Sequence, residues 1–181
     1  FILIKYMKCP YTTTKRMINY IRKTLSTPAE EYGGYAPCPF VKPELDARRL
    51  MLAEFHPASE HNLVHIINEF IDSKFKSLLI AQQFEEGQSL NAKDTKQYQQ
   101  FINDLLNEMG LTKYKCICFN PNDDVVVRKQ APYFLINIAE RKVLAQAHNK
   151  MMKTDYFSRM SDKYLKFLHV DPEKVTRKIG S

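Results

Sequence analysis

Short apolar runs alternate with helical patterns between residues 49 and 138, and this alternation limits the folds open to the chain. Four runs have the length and composition of strands: 49–55, 76–81, 114–119 and 133–138. The helical pattern is clearest over 94–109, and Gly110 follows at the position that commonly ends a helix. This order predicts an α/β (or α+β) fold with crossover helices on a partly parallel sheet.

The remaining elements complete a prediction of one domain with a mixed sheet of four to five strands. Helices are predicted over 12–25, from Ser59 to about residue 74, and over 140–152 and 155–168. A short strand is expected at 1–7, and the connection 119–133 is expected to return the fourth strand antiparallel. Residues 1–34 are interpreted as a basic helical leader and linker, and 35–181 as the α/β body with two C-terminal helices.

Charge is distributed unevenly along the chain. Residues 1–29 carry six Lys/Arg and no acid, and 141–181 carry ten Lys/Arg and four acids, in a chain of net charge +7. On the 12–25 helix, the apolar residues fall on one side and the basic ones on the other: Met17, Ile18, Ile21 and Leu25 against Lys15, Arg16, Arg22 and Lys23. Two basic ends can attract an anionic partner, although ordinary solubility explains the same pattern.

The segment 35–44 concentrates a thiol, a lysine and three prolines in ten residues. The prolines are expected to suppress helix and leave Cys38 on an extended, irregular segment, where functional residues are common. Lys42 is expected either to lower the pKa of the thiol or to bind an anionic substrate. Arg128 is a second candidate for anion binding, and His56, at a strand end, is the candidate proton carrier. A purely structural Cys38 is the alternative.

Other familiar sites are absent or weakly indicated. No glycine-rich nucleotide loop occurs, and no metal site is predicted, since Asn62 stands where HExxH requires glutamate. Two Cys-Pro dipeptides, at Cys9 and Cys38, leave haem binding as an alternative. A thiolate would then be one axial ligand, and a histidine the other. The candidate histidines are His56, His148 and His169.

Three motifs occur in a suggestive order: Cys38-Pro39-Phe40-Val41-Lys42, Phe119-Asn120-Pro121, and a loop from Arg128 to Pro132 before an apolar strand. In this order the chain resembles an uncharacterised bacterial domain family marked by a Cys-Pro-Phe-x-Lys segment, some of whose members lie among biosynthetic genes. The resemblance covers about residues 35–140. Where relatives have Arg-Ser-Pro, this chain has Arg128-Lys129-Gln130-Ala131-Pro132. The resemblance implies that Cys38, Lys42, Asn120 and Arg128 converge in one site, and it implies no particular reaction.

Three functional hypotheses follow. The first is a small cytoplasmic enzyme or tailoring protein that acts on a carboxylated or phosphorylated small molecule. Cys38 and His56 would be its catalytic residues, and Lys42, Asn120 and Arg128 would bind the substrate. The second is a module that binds nucleic acid or another polyanion through the basic helices, and the third is a haem protein. No membrane association is expected, because the apolar runs are too short to span a bilayer.

Overall fold

A computed structural model describes most of the chain: residues 10–56, 62–84, 90–122, 130–158, 160, 162, 165 and 170–175. The strands are β1 (Leu50–Phe55), β2 (Ser77–Gln82), β3 (Tyr114–Phe119) and β4 (Phe134–Glu140). The α-helices are α1 (Pro10–Tyr20), α2 (Val41–Asp46), α3 (Leu63–Ile71), α4 (Ala92–Glu108) and α5 (Arg141–Met152). The strand expected at 1–7 lies outside the described residues.

The four strands form one mixed sheet in the order β1-β2-β4-β3. β1 and β2 are parallel, and β4 is antiparallel to both β2 and β3. The predicted mixed sheet and the antiparallel return of the fourth strand are therefore confirmed. Because β1, β2 and β3 run in the same direction, their carboxyl ends and the start of β4 lie along one side of the sheet, which we call the carboxyl edge.

Helices cover both faces of the sheet. On one face, α3 and α4 pack against alternate residues of all four strands, including Met51, Ile80 and Ile136. On the other face, α1 and α2 pack against Leu50, Leu52, Leu79, Ala81 and Leu135. A central sheet between two helical layers is what apolar strands need in order to bury both of their faces.

The helix of the predicted leader belongs to this second layer. Met17, Ile21 and Leu25 are at most 5 % exposed and join the same apolar cluster as β1 and β2. Residues 21–25 continue α1 as a π-helical turn. The amphipathic pattern of residues 12–25 is thus confirmed, and the helical part of the leader shares the core of the body.

Side-chain caps explain where α3 and α4 begin. Asn91 accepts a hydrogen bond from the N–H of Asp94, and Asn62 accepts one from the N–H of His65. The described helix α3 begins at Leu63 with Asn62 as its cap, and Ser59, the predicted cap, lies outside the described residues. Gly110 ends α4 with a φ of 73°, as predicted, and the N–H of Leu111 reaches back to the carbonyl of Leu106.

The segment after Cys38 also differs from the prediction, because Val41–Asp46 forms helix α2 rather than extended chain. Pro43 is the third residue of this helix. The first N–H groups of a helix have no acceptor within it, so proline costs little at such a position. Pro43 is therefore compatible with a short helix directly after the thiol.

The C-terminal part packs beside the 29–37 segment. Where a helix over 155–168 was predicted, Asp155–Phe157 is a 3₁₀ turn, and Asp162 and Leu165 are helical. Much of the rest of that range lies outside the described residues. Tyr32, Tyr156 and Phe157 share a small apolar cluster. The hydroxyl of Tyr156 donates to the carbonyl of Pro37, which fixes the chain one residue before Cys38.

We predict that Met17→Ala destabilises the whole domain, because Met17 is 0 % exposed in the core beneath α1. The free energy of unfolding should fall by about 2–5 kcal/mol, the usual cost of emptying a buried methionine site. Urea denaturation followed by circular dichroism measures it. Asn19→Ala, on the exposed side of the same helix, is the control and should change stability by about 0.5 kcal/mol or less. Separate unfolding of α1, with the sheet unaffected, would contradict the prediction.

Candidate functional site

Cys38 is fixed by backbone contacts between the end of the π-helical turn and the start of α2. Its N–H donates to the carbonyl of Leu25 at 2.8 Å, and its carbonyl accepts from the N–H of Val41 at 3.3 Å. The side chain is partly buried and packs against the apolar cluster under α1. The thiol is therefore held in a defined place, on the side of the sheet covered by α1 and α2.

The surroundings of Cys38 keep its thiol protonated. Burial raises the pKa of Cys38, and hydrogen bonds from the backbone of Val41 and Phe40 oppose this only in part. Lys42 does not lower the pKa, since its ammonium group binds Asp46 Oδ2 at 2.6 Å. The expectation that Lys42 activates the thiol is therefore wrong. A neutral, partly buried thiol that packs against apolar side chains is a poor nucleophile and behaves as a small apolar side chain.

Asp46 connects Lys42 to the basic side of α1. Its other carboxylate oxygen lies 3.5 Å from Arg22, at the end of the helical segment. Arg22 and Lys42 supply two positive charges against the single negative charge of Asp46, and all three side chains are exposed. Together with the exposed charges further along α1, these side chains form one region that we call the basic surface: Lys15, Arg16, Arg22, Lys23 and Lys42.

His56 lies at the opposite end of α1 from Cys38. It follows β1 at the carboxyl edge, where its charge acts on Glu54, and Glu54 also interacts with Thr13 near the start of α1. Cys38 is bound to Leu25, twelve residues further along, so the two regions are roughly 15–18 Å apart at the helical rise per residue. Cys38 and His56 therefore do not form a catalytic pair, and they cannot ligate one haem iron together.

Asn120 is at the carboxyl edge too, and its side chain is occupied. Its amide nitrogen donates to the carbonyl of Leu90 at 2.7 Å and to the hydroxyl of Thr95 at 2.6 Å. Its oxygen accepts from the N–H of Asn122 at 2.9 Å. Asn120 is 1 % exposed, and it ties the end of β3 to the start of α4. This role is structural, on the face of the sheet opposite Cys38.

The five residues predicted for the site therefore do not meet within the described part of the chain. Cys38 and Lys42 are near the end of the α1 segment, whereas His56 and Asn120 are at the carboxyl edge. Arg128 lies outside the described residues. No group of three or more His, Cys, Asp or Glu side chains suited to a metal ion occurs among the residues that the structure describes.

Among the residues that the structure describes, Glu54 has unusual surroundings that sequence reasoning missed. It is 8 % exposed on β1, and one of its carboxylate oxygens is buried without a hydrogen-bond partner among the described residues. The available signal was an acid inside the apolar run 50–55, where buried acids are rare unless they are paired.

No protein-family model, curated protein or solved structure matches this chain. None of the described helices is long and apolar enough to cross a membrane. The function is therefore argued from the geometry of the chain itself.

We predict that Cys38 is not an activated thiol. Because burial raises its pKa, its alkylation by iodoacetamide should be slow at pH 7 and should accelerate only at a pH above that needed for a free cysteine. Mass spectrometric mapping of the Cys38 peptide across a pH series gives the rate, and Cys38→Ser confirms the peptide assignment. Rapid alkylation at neutral pH, faster than in the urea-unfolded protein, would show instead that the fold activates this thiol.

We predict that Asn120→Ala lowers stability, because it leaves the Leu90 carbonyl and the Thr95 hydroxyl without their buried donor. The expected loss in the free energy of unfolding is about 1–3 kcal/mol. Thermal and urea denaturation measure it, with Asn122→Ala, which changes an exposed side chain, as the control. Unchanged stability would contradict this structural role and would leave the Asn120 side chain available to a ligand.

Proposed function

We propose that the protein binds a polyanion, with the phosphate backbone of single-stranded nucleic acid as the ligand class, through the basic surface. The observation that supports this most directly is the one-sided charge of α1 and its π-helical continuation. Within Pro10–Leu25 there are four Lys/Arg and no acid, and all four point away from a buried apolar side. Lys42 of α2 extends the surface at its end.

The fixed orientation of α1 distinguishes the basic surface from exposed charges that serve only solubility. Because Met17 and Ile21 are buried, the helix cannot rotate its charges away from solvent. From Lys15 to Lys23 the helix rises about 12 Å, which matches three to four phosphates of one nucleic-acid strand. A row of fixed cations at this length favours an extended anion over a single carboxylate or phosphate.

Contacts with phosphate give affinity without sequence preference. Lys and Arg side chains release counterions when they bind phosphates, so binding weakens as salt is added. Aromatic partners for base stacking are few on this side: Tyr20 of α1 is 5 % exposed and belongs to the core. The proposed binding is therefore electrostatic and tolerant of sequence.

The Cys38-centred enzyme remains a prediction from sequence, with less support from the geometry. Its thiol has a raised pKa, its lysine is paired with Asp46, and His56 is at the other end of α1. Lys42 retains a role in the proposal made here, since the basic surface includes it. The thiol itself has none.

We predict that the protein binds a fluorescent single-stranded oligothymidylate with strong salt dependence. Three to four phosphate contacts give a slope of log K against log salt of roughly −2 to −3. Fluorescence anisotropy over a sodium chloride series measures this slope. The double change Arg16→Glu with Lys23→Glu should weaken binding by about tenfold or more, equivalent to about 1.4 kcal/mol.

The matched control is Lys93→Glu with Lys96→Glu. It changes the net charge by the same amount, at exposed sites on α4, across the sheet from α1. Equal loss of affinity in both double variants would mean that only the overall charge matters and would refute the basic surface as the binding region. Absence of binding to wild type at low salt would refute the function altogether.

A further inference from the structure

Glu54 is the one charged residue within β1, and it is almost completely enclosed. Its neighbours along the strand are apolar, and its side chain is on the face covered by α1, in line with Leu50 and Leu52. The Oε1 atom accepts a hydrogen bond from Gln83 Nε2, just after the end of β2. The Oε2 atom is buried with no hydrogen-bond partner among the described residues.

An unpartnered buried carboxylate oxygen needs an explanation. Burying a polar atom without a hydrogen bond costs free energy, and native proteins rarely leave such atoms unpaired. Replacement by an apolar residue would remove that cost, yet the strand carries glutamate at this position. An oxygen of this kind is suited to an exchangeable partner, either a proton or a hydrogen-bond donor group of a ligand.

The surroundings of Glu54 are those of a proton-exchanging carboxyl. Burial raises the pKa of Glu54, whereas the positive charge of His56 and the nearby hydroxyl of Thr13 oppose that rise. Three chain elements supply these groups: Thr13 comes from α1, Gln83 follows β2, and His56 follows β1. His56 is half-buried, so the charged group nearest in sequence to Glu54 is itself in contact with solvent.

The position in the fold supports a site as well. Ligands of open α/β sheets bind outside the carboxyl ends of the parallel strands. Glu54 is the next-to-last residue of β1, and Gln83 comes directly after the parallel strand β2. Both side chains thus lie where this architecture presents ligands with polar groups.

We propose that the carboxyl edge beside β1 and β2 holds a small-molecule site in which Glu54 Oε2 takes up a proton from an N–H or O–H group of the ligand. In this step the ligand's N–H or O–H bond breaks, an O–H bond forms on the carboxylate, and the electron pair stays with the ligand. His56 in its neutral form then accepts this proton from Glu54 and releases it to solvent, which returns Glu54 to the carboxylate. The ligand class is a small polar molecule that offers a hydrogen-bond donor.

This site is independent of the basic surface. Glu54 lies beside the start of α1, and the contact between Arg22 and Lys42 through Asp46 lies at the end of the same helical segment. Loss of nucleic-acid binding in the variants described above would leave the Glu54 site unaffected. Conversely, if small molecules cannot reach Glu54, the proposed binding of nucleic acid by the basic surface is unaffected.

The experiment is carboxyl labelling of the folded chain with a water-soluble carbodiimide and glycinamide, followed by peptide mapping. The carboxyl gives its proton to the carbodiimide and its oxygen then adds to the carbodiimide carbon, so the rate falls as the carboxyl ionises at higher pH. Glycinamide, a small amine that must enter the site, then displaces the urea and forms the amide. We expect Glu54 to be amidated, with a pH midpoint above that of the exposed Glu108. His56→Asn should move the Glu54 midpoint further upward, because it removes the positive charge that opposes the rise.

Three outcomes overturn the proposal. Labelling of Glu108 but not of Glu54, with Glu54 labelled once urea unfolds the protein, identifies a sealed structural carboxyl. A midpoint equal to that of Glu108 removes the raised proton affinity on which the site depends. An unchanged midpoint in His56→Asn shows that His56 does not act on Glu54 and so is not its proton carrier. If His56→Asn does not fold, Thr13→Val is the second variant, and it should also raise the Glu54 midpoint. Glu54→Gln confirms the labelled position.

Discussion

The hydrogen bonding of β4 to two neighbours is the constraint on which the architecture depends. β4 is antiparallel to β2 on one side and to β3 on the other along most of its length. Without it, the parallel pair β1–β2 and the strand β3 would have no common sheet. Its insertion also brings the carboxyl ends of three strands to one edge. That edge contains most of the buried polar side chains described: Thr13, Thr14, Glu54, Gln82, Thr95 and Asn120.

Helix α1 separates two regions of different chemistry because its sides and ends have different surroundings. Its apolar side is fixed in the core, so its basic side has one orientation towards solvent. Its first turns approach the carboxyl edge, and its last turn lies against Cys38 and α2. A change in how α1 packs would therefore disturb both regions together, even though they do not touch.

Much of the fold follows from the sequence, because strand and helix periodicities are strong and local. The four strands, α4 with Gly110 and the two-sided α1 are confirmed. Asn62 caps α3, whereas the sequence predicted a cap at Ser59; both are residue types that cap helices, and the sequence pattern alone does not decide between them. Helix α2 was missed because proline was treated as a helix breaker, whereas at the third position it removes an N–H group that has no acceptor there.

The candidate site was harder to predict because it depends on distances between remote parts of the chain. Nothing in the segment 38–42 shows that Lys42 binds Asp46 or that the thiol is buried. Sequence proximity suggested a lysine next to a thiol, and the helical geometry of α2 instead placed that lysine beside the residue four positions later. The order of three short motifs likewise gave no information about which face of the sheet each motif occupies.

Asn120 and Glu54 show how burial alone fails to distinguish structure from function. Both are polar, nearly inaccessible and close to the carboxyl edge. Both atoms of the Asn120 amide are bonded to the protein, so any ligand would have to break those bonds first. One oxygen of Glu54 has no such bond among the described residues, and its pKa is raised. Unmet hydrogen-bonding capacity, more than the identity of the residue or its burial, is therefore the reason to propose Glu54, among the residues that the structure describes, as a position for chemistry.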